Sequence, residues 1–139
     1  MAKQKILIVD DESFYIEVIE NLLHEDYDIL IAHNGYDAIK LVQCEDKPDL
    51  ILLDIMMEGI DGYEVCRCLK SDEQSKHIPI IFLTVKSDVD DEVLGFNLGA
   101  VDYITKPISP PIVRARVNNH IEILRLRKEL EVALEKCKQ

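Results

Sequence analysis

Four places along this chain end an apolar run on a residue that can do chemistry. "ILIVDDE" (6–12) closes on the carboxylates Asp10 and Asp11, and "LILLD" (50–54) closes on Asp54. "IIFLT" (80–84) closes on Thr84, and "VDYIT" (101–105) is followed by Lys106 and Pro107. Three carboxylates within a few ångströms of one another repel unless a cation joins them. An all-oxygen set of that kind suits Mg²⁺, which accepts a few carboxylates and keeps some of its waters. A lysine offers a point charge to a carboxylate or a phosphate oxygen, and a threonine hydroxyl is a donor. Brought together, these groups would let a carboxylate attack a phosphoryl group while Mg²⁺, the ammonium and the hydroxyl hold its equatorial oxygens.

Each piece also has an ordinary reading. Asp11 or Glu12 would cap a helix. Asp54 would mark the exit of a strand into a turn rich in glycine, with Gly59 and Gly62 close behind. Thr84 suits a strand, and Lys106 suits a loop before a proline. The chemical reading rests on the conjunction, because the same coincidence would have to occur at four strand ends.

The elements that would position these residues alternate. Strands are predicted over 5–10, 27–33, 50–54, 78–84 and 101–105, and helices over 14–24, 36–44, 63–71, 90–99 and from Ser109 onward. Five strand–helix pairs with short connections indicate an α/β domain with a parallel sheet. Strands covered on both faces read as continuous apolar runs, and the first, third and fourth do. The fifth is more polar and is expected at an edge. Ser109 followed by Pro110 predicts a helix start, a cap before a residue whose φ is already set. In a parallel sheet every carboxyl end lies on one side, where ligands bind near the reversal of strand order. That puts Asp10, Asp11, Asp54, Thr84 and Lys106 on one rim.

Composition narrows the function classes. At 139 residues, with 47% hydrophobic and 31% charged, the chain suits one globular domain with a substantial core. The formal charge of −11 argues against direct nucleic-acid binding. The tail from residue 114 carries seven of the sixteen bases and only four of the twenty-seven acids, but its bases alternate with glutamates as on a solvated helix. The apolar runs are too short for a membrane span, and "MAKQKILIVDDE" lacks the apolar core of a signal peptide, so a cytoplasmic address is expected. Cys66 and Cys68 would point to different faces of a helix, with Cys44 and Cys137 far away in sequence, so reduced thiols are expected rather than a zinc site.

"ILIVDDE", "LILLDIMMEGIDGYE", "IIFLT" and "DYITKP" together resemble the receiver domain of bacterial two-component response regulators, in this order and at the usual spacing. The resemblance covers about residues 4–125 and implies a five-stranded parallel sheet in order 2-1-3-4-5, a doubly wound, flavodoxin-like fold. It implies that Asp54 is the phosphoacceptor and that Asp10, Asp11, Asp54 and the main-chain carbonyl of Met56 hold Mg²⁺. Thr84 matches the switch hydroxyl and Tyr103 the aromatic that rotates inward with it. Lys106 matches the lysine that pairs with the phosphoryl group, and the bond to Pro107 is usually cis in the family. The implied function is that of a phosphorelay signal receiver. It would take a phosphoryl group from a partner histidine kinase or phosphotransfer protein and switch conformation to control a downstream output. The implied chemistry is self-catalysed transfer and slow autodephosphorylation, not turnover.

Two positions depart from the commonest family pattern. Glu58 stands where a proline is usual, and Val85 where the residue is usually very small. Two other functions fit part of the set. Haloacid-dehalogenase-type phosphatases also use an aspartate nucleophile, but in Asp-x-Asp at the end of the first strand. Here the candidate lies on the third strand and is followed by Ile55 and Met56, so the acid/base is missing. A receiver that is never phosphorylated usually lacks one of the acids or the lysine, and here all are present.

The remaining segment, 126–139, reads as a helical linker or coiled-coil extension. Ile123, Leu126, Leu130, Ala133 and Cys137 follow the 3-4-3-4 spacing of an a/d seam, with Glu122 and Arg127 at g and e. The seam predicts a homodimer through the C-terminal helix, and a helix folded back onto its own domain is the alternative. "KPISPPIVRARVNNHIEILRLRKELE" resembles receivers that lead into cyclic-dinucleotide enzymes or histidine-kinase-type modules. The chain is thus expected to be either a stand-alone receiver or the front of a longer protein, with its output module unknown.

Overall fold

The computed structural model describes residues 3–85 and 89–138, without the side chains of 89–91. Met1, Ala2 and Gln139, at the ends of the expected N-terminal segment and C-terminal extension, lie outside the described residues. Strands and helices alternate in chain order: β1 (Lys5–Val9), α1 (Ser13–Leu23), β2 (Asp28–Ala32), α2 (Gly35–Gln43) and β3 (Leu50–Asp54). Then come α3 (Gly62–Lys70), β4 (Ile80–Thr84), α4 (Val89–Asn97), β5 (Asp102–Thr105) and α5 (Pro110–Cys137). The five strands form one parallel sheet in the order β2-β1-β3-β4-β5, the expected doubly wound arrangement. Expected strand ends are trimmed by one or two residues, where ladder pairing gives way to loop.

The apolar runs are continuous because each strand feeds two cores. Successive side chains point to opposite faces. Leu7, Val9, Ile51, Leu53, Ile80 and Phe82 pack with Ala38 and Val42 of α2 and Val65, Cys66 and Leu69 of α3. Their neighbours Ile6, Ile8, Leu50, Leu52, Ile81 and Leu83 pack with Ile16, Ile19 and Leu23 of α1 and with Val113, Val117 and Ile121 of α5. The more polar β5 is an edge strand, as its composition predicted.

Ser109 occupies the N-cap of α5, yet its side chain makes no cap hydrogen bond. Pro110 and Pro111 follow it, so two of the usual orphan N–H donors do not exist and a cap has less to satisfy. Among the described residues no helix is long and apolar enough to cross a membrane. All four cysteines are free thiols, with Cys66 alone buried.

Candidate functional site

Register brings the strand-end residues together. Val9 pairs with Leu53, so the next residues, Asp10 and Asp54, leave the two central strands side by side. Thr84 pairs with Thr105, so Lys106 emerges one residue beyond it, its N–H donating to the Thr84 carbonyl at 2.6 Å. The Lys106–Pro107 peptide is cis.

The three charged groups at the centre are buried: Asp10 is 0% exposed, Asp54 3% and Lys106 3%. The Lys106 ammonium lies 2.8 Å from Asp10 Oδ2 and 3.4 Å from Asp54 Oδ1. The first contact is an ion pair by distance and not an aligned hydrogen bond. Among the described residues neither Asp10 Oδ2 nor Asp54 Oδ2 accepts one. Burial, with the Asp10 carboxylate next in weight, pushes the Asp54 carboxyl up to about 7 against the pull of Lys106. Burial pulls the Lys106 ammonium down, but the close contact with the Asp10 carboxylate and the charges of Asp54 and Glu12 outweigh this and leave its pKa raised.

The ordinary readings of the acids give way to this geometry. Asp54 is no turn residue, for it is the last rung of β3 and pairs with Leu83. Glu12 holds the N-cap position of α1, but its side chain makes no cap bond, and Asp10 Oδ1 accepts from the Glu12 N–H at 2.9 Å instead. Exposed Asp11 turns the other way and accepts from the Glu58 N–H at 3.3 Å. A proline at 58 has no N–H, so the unusual glutamate lets the loop after β3 be tied to the acidic pair. Asp10, Asp11 and Glu12 present ligand atoms within 4.8 Å of one another. Buried carboxylate oxygens without donors, beside an all-oxygen cluster, fit a hard divalent cation. Met56 begins the loop after Ile55, with its side chain exposed.

Thr84 is buried at the end of β4. Tyr103, on β5, is also buried, its ring 5.2 Å from Phe96 and 5.7 Å from Phe82, and its hydroxyl donates to the Glu92 carbonyl at 3.0 Å. Val85, the other departure from pattern, is exposed. Two positions escaped the sequence reading. Gly95 leaves room for the inward Tyr103, because a Cβ there would overlap the Tyr103 hydroxyl. A glycine inside a helix, a poor helix former, was the available signal. Tyr15 was missed because an aromatic on an amphipathic helix reads as core, yet the Lys106 Nζ lies over its ring at 4.1 Å.

Residues 6–118 match the description "Response regulator receiver domain". Over 115 residues the chain is 47% identical to the alkaline phosphatase synthesis transcriptional regulatory protein PhoP of Bacillus subtilis, an overlap of 82% of this chain and 47% of that protein. Over 122 residues it is 44% identical to a Vibrio cholerae protein named "Probable cyclic di-GMP phosphodiesterase", covering 88% of this chain and 27% of that one. The chain thus spans about half the length of the first relative and about a quarter of the second. The signal receiver domain of a signal transduction histidine kinase from Syntrophus aciditrophicus superposes with a TM-score of 0.77 at 35% identity, covering 86% of this chain and 90% of that one.

Proposed function

The chain belongs to the response regulator receiver family, and from that premise we propose that Asp54 is its phosphoacceptor, that Lys106 and Thr84 act on the phosphoryl group, and that Thr84 and Tyr103 form the switch. The family's work is to receive a phosphorelay signal from a histidine kinase or phosphotransfer partner and to control an output. It is a family of signal receivers rather than turnover enzymes. Support for the residue assignment comes above all from Asp54 itself, a buried carboxylate with Lys106 against Oδ1 and, among the described residues, no donor on Oδ2. In this reading that oxygen attacks phosphorus as the P–N bond of a phosphohistidine breaks and the imidazole leaves.

Asp10, Asp11, Asp54 and the carbonyl of Met56 would hold Mg²⁺, which supplies charge neutralisation for the transferring group. Lys106 pairs with a phosphoryl oxygen, and the Thr84 hydroxyl moves to another, the inward seat of Tyr103 being the one the aromatic takes as that hydroxyl moves. Water later attacks the acyl phosphate and releases inorganic phosphate. Intact-mass measurement after treatment with acetyl phosphate and Mg²⁺ should show one added phosphoryl group on the wild type and none on Asp54→Ala. Equal uptake in that variant would place the acceptor elsewhere.

The receiver body over 4–125 is followed by an extension over 126–139 that we read as a dimer seam. Helix α5 has 28 residues, about 42 Å at 1.5 Å per residue. Its buried positions stop at Ile121, and Ile123, Leu126 and Leu130 are 47%, 50% and 58% exposed. That exposure favours the seam over a helix folded back on its own domain. Arg125 takes both Glu122 and Glu129 within the helix, so the apolar stripe rather than interhelical charge pairing would carry association. Sedimentation should find a dimer for the full chain and a monomer for a chain ending at Glu122. Monomers in both, with and without beryllofluoride, would leave the tail a bare linker.

A further inference from the structure

Lys106 reaches the site from the β5–α5 connection, and the residue is 3% exposed. An ammonium carries three donors and no acceptor. Asp10 Oδ2 at 2.8 Å and Asp54 Oδ1 at 3.4 Å account for two directions. Beside these two oxygens lies a ring: Tyr15, on the first turn of α1, has its centroid 4.1 Å from Nζ. That is well within the range of a cation–π contact, which is strongest where the cation is desolvated. The ring is itself braced, since Phe14 meets it edge-on at 5.2 Å and 79°.

We propose that Tyr15 is a positioning residue for Lys106, its ring face holding the ammonium between Asp10 and Asp54. The inference rests on the reading of Lys106 as the residue that pairs with the phosphoryl group. A ring is neutral and binds no Mg²⁺, so its pull on the ammonium persists when the acids take a cation and Asp54 takes a phosphoryl group. Without it, the ammonium's place is set by carboxylates alone, and the nearer of them, Asp10, is also the proposed metal ligand. The phosphoryl oxygens would then lose a pre-placed positive charge as their own charge develops.

The test compares Tyr15→Leu with Tyr15→Phe in the full chain. Phosphoramidate labelling in Mg²⁺ should show the maximal rate of Tyr15→Leu about tenfold lower, with the half-saturating donor concentration changed less than twofold. Tyr15→Phe, which keeps the ring, should stay within twofold of the wild type. Carbon–proton NMR of the Lys106 ε-methylene should show an upfield ring-current displacement in the wild type and Tyr15→Phe, lost in Tyr15→Leu. A wild-type rate in Tyr15→Leu overturns the proposal. So does a Tyr15→Phe variant as slow as Tyr15→Leu, or a Lys106 signal that ignores both changes. A wild type that takes no label would sink the phosphoacceptor reading instead, and the ring-current comparison would then decide the placement of Lys106 by itself.

Discussion

Asp54→Asn is expected to melt at a higher temperature than the wild type in EDTA above pH 7. Asp54 is buried, its Oδ2 accepts no hydrogen bond among the described residues, and burial with the Asp10 charge pushes its carboxyl up to about 7. The folded state therefore holds a proton between about pH 4 and pH 7 that the unfolded chain has released. Stability falls as pH rises through that window, and the full penalty stands above it. A shift of this size is worth on the order of 2–4 kcal/mol. Asparagine removes the charge at nearly constant shape, and Asp10 remains as the partner of Lys106. The two melts should converge at about pH 4 and below, where Asp54 is protonated in the folded and the unfolded chain alike, and separate by roughly 10 °C at pH 8. Mg²⁺ should narrow the gap by stabilising the wild type more than the variant. An equal gap at both pH values would mean that Asp54 titrates as an ordinary carboxylate.

Gly62→Ala should damage both the fold and the site, whereas Gly59→Ala should be mild. Gly62 opens α3, and its N–H donates to the Ile55 carbonyl at 2.9 Å. A Cβ there would overlap the Asp54 carbonyl oxygen and lie 2.8 Å from the Ile55 Cα. Both neighbours are backbone, so no rotamer relieves the clash, and β3 or α3 must move. Overpacking against backbone costs about 3 kcal/mol, and the displaced end of β3 carries the acceptor, so phosphoryl uptake should fall more than tenfold. Gly59 is the opposite case. Its φ of +82° disfavours a side chain, but a Cβ there would meet only Tyr36, at an ordinary 3.5 Å. Its cost is about 1–2 kcal/mol of backbone strain, with uptake near that of the wild type. Chemical denaturation and intact-mass labelling of both variants would check this. Comparable losses in the two would mean that conformation, and not space, sets the requirement at Gly62.

The alternation of strands and helices was legible in the chain because periodicity is local: each run declares itself within a few residues, whatever it later packs against. Parallel connection then carries the ends of β1, β3, β4 and β5 to one rim, so Asp10, Asp54, Thr84 and Lys106 could be placed on one side of the sheet before any distance was known. The a/d stripe from Ile123 to Cys137 was equally plain, being a pattern within one helix.

Contacts between elements were decided elsewhere. Lys106 lies closer to Asp10 than to Asp54, and over Tyr15, because of register and rotamer across strands and helices far apart in sequence. The Glu58 N–H reaches Asp11 across a loop whose path no spacing encodes. Gly62 and Gly95 look like a turn residue and a weak helix residue, until the β3 backbone and the Tyr103 hydroxyl are seen to fill the space a Cβ would need. Sequence by itself determined which groups reach the rim, since that follows from chain direction and local pattern. Tertiary structure alone decided which of them touch, because close contact depends on ångström-scale packing between segments that share no local pattern.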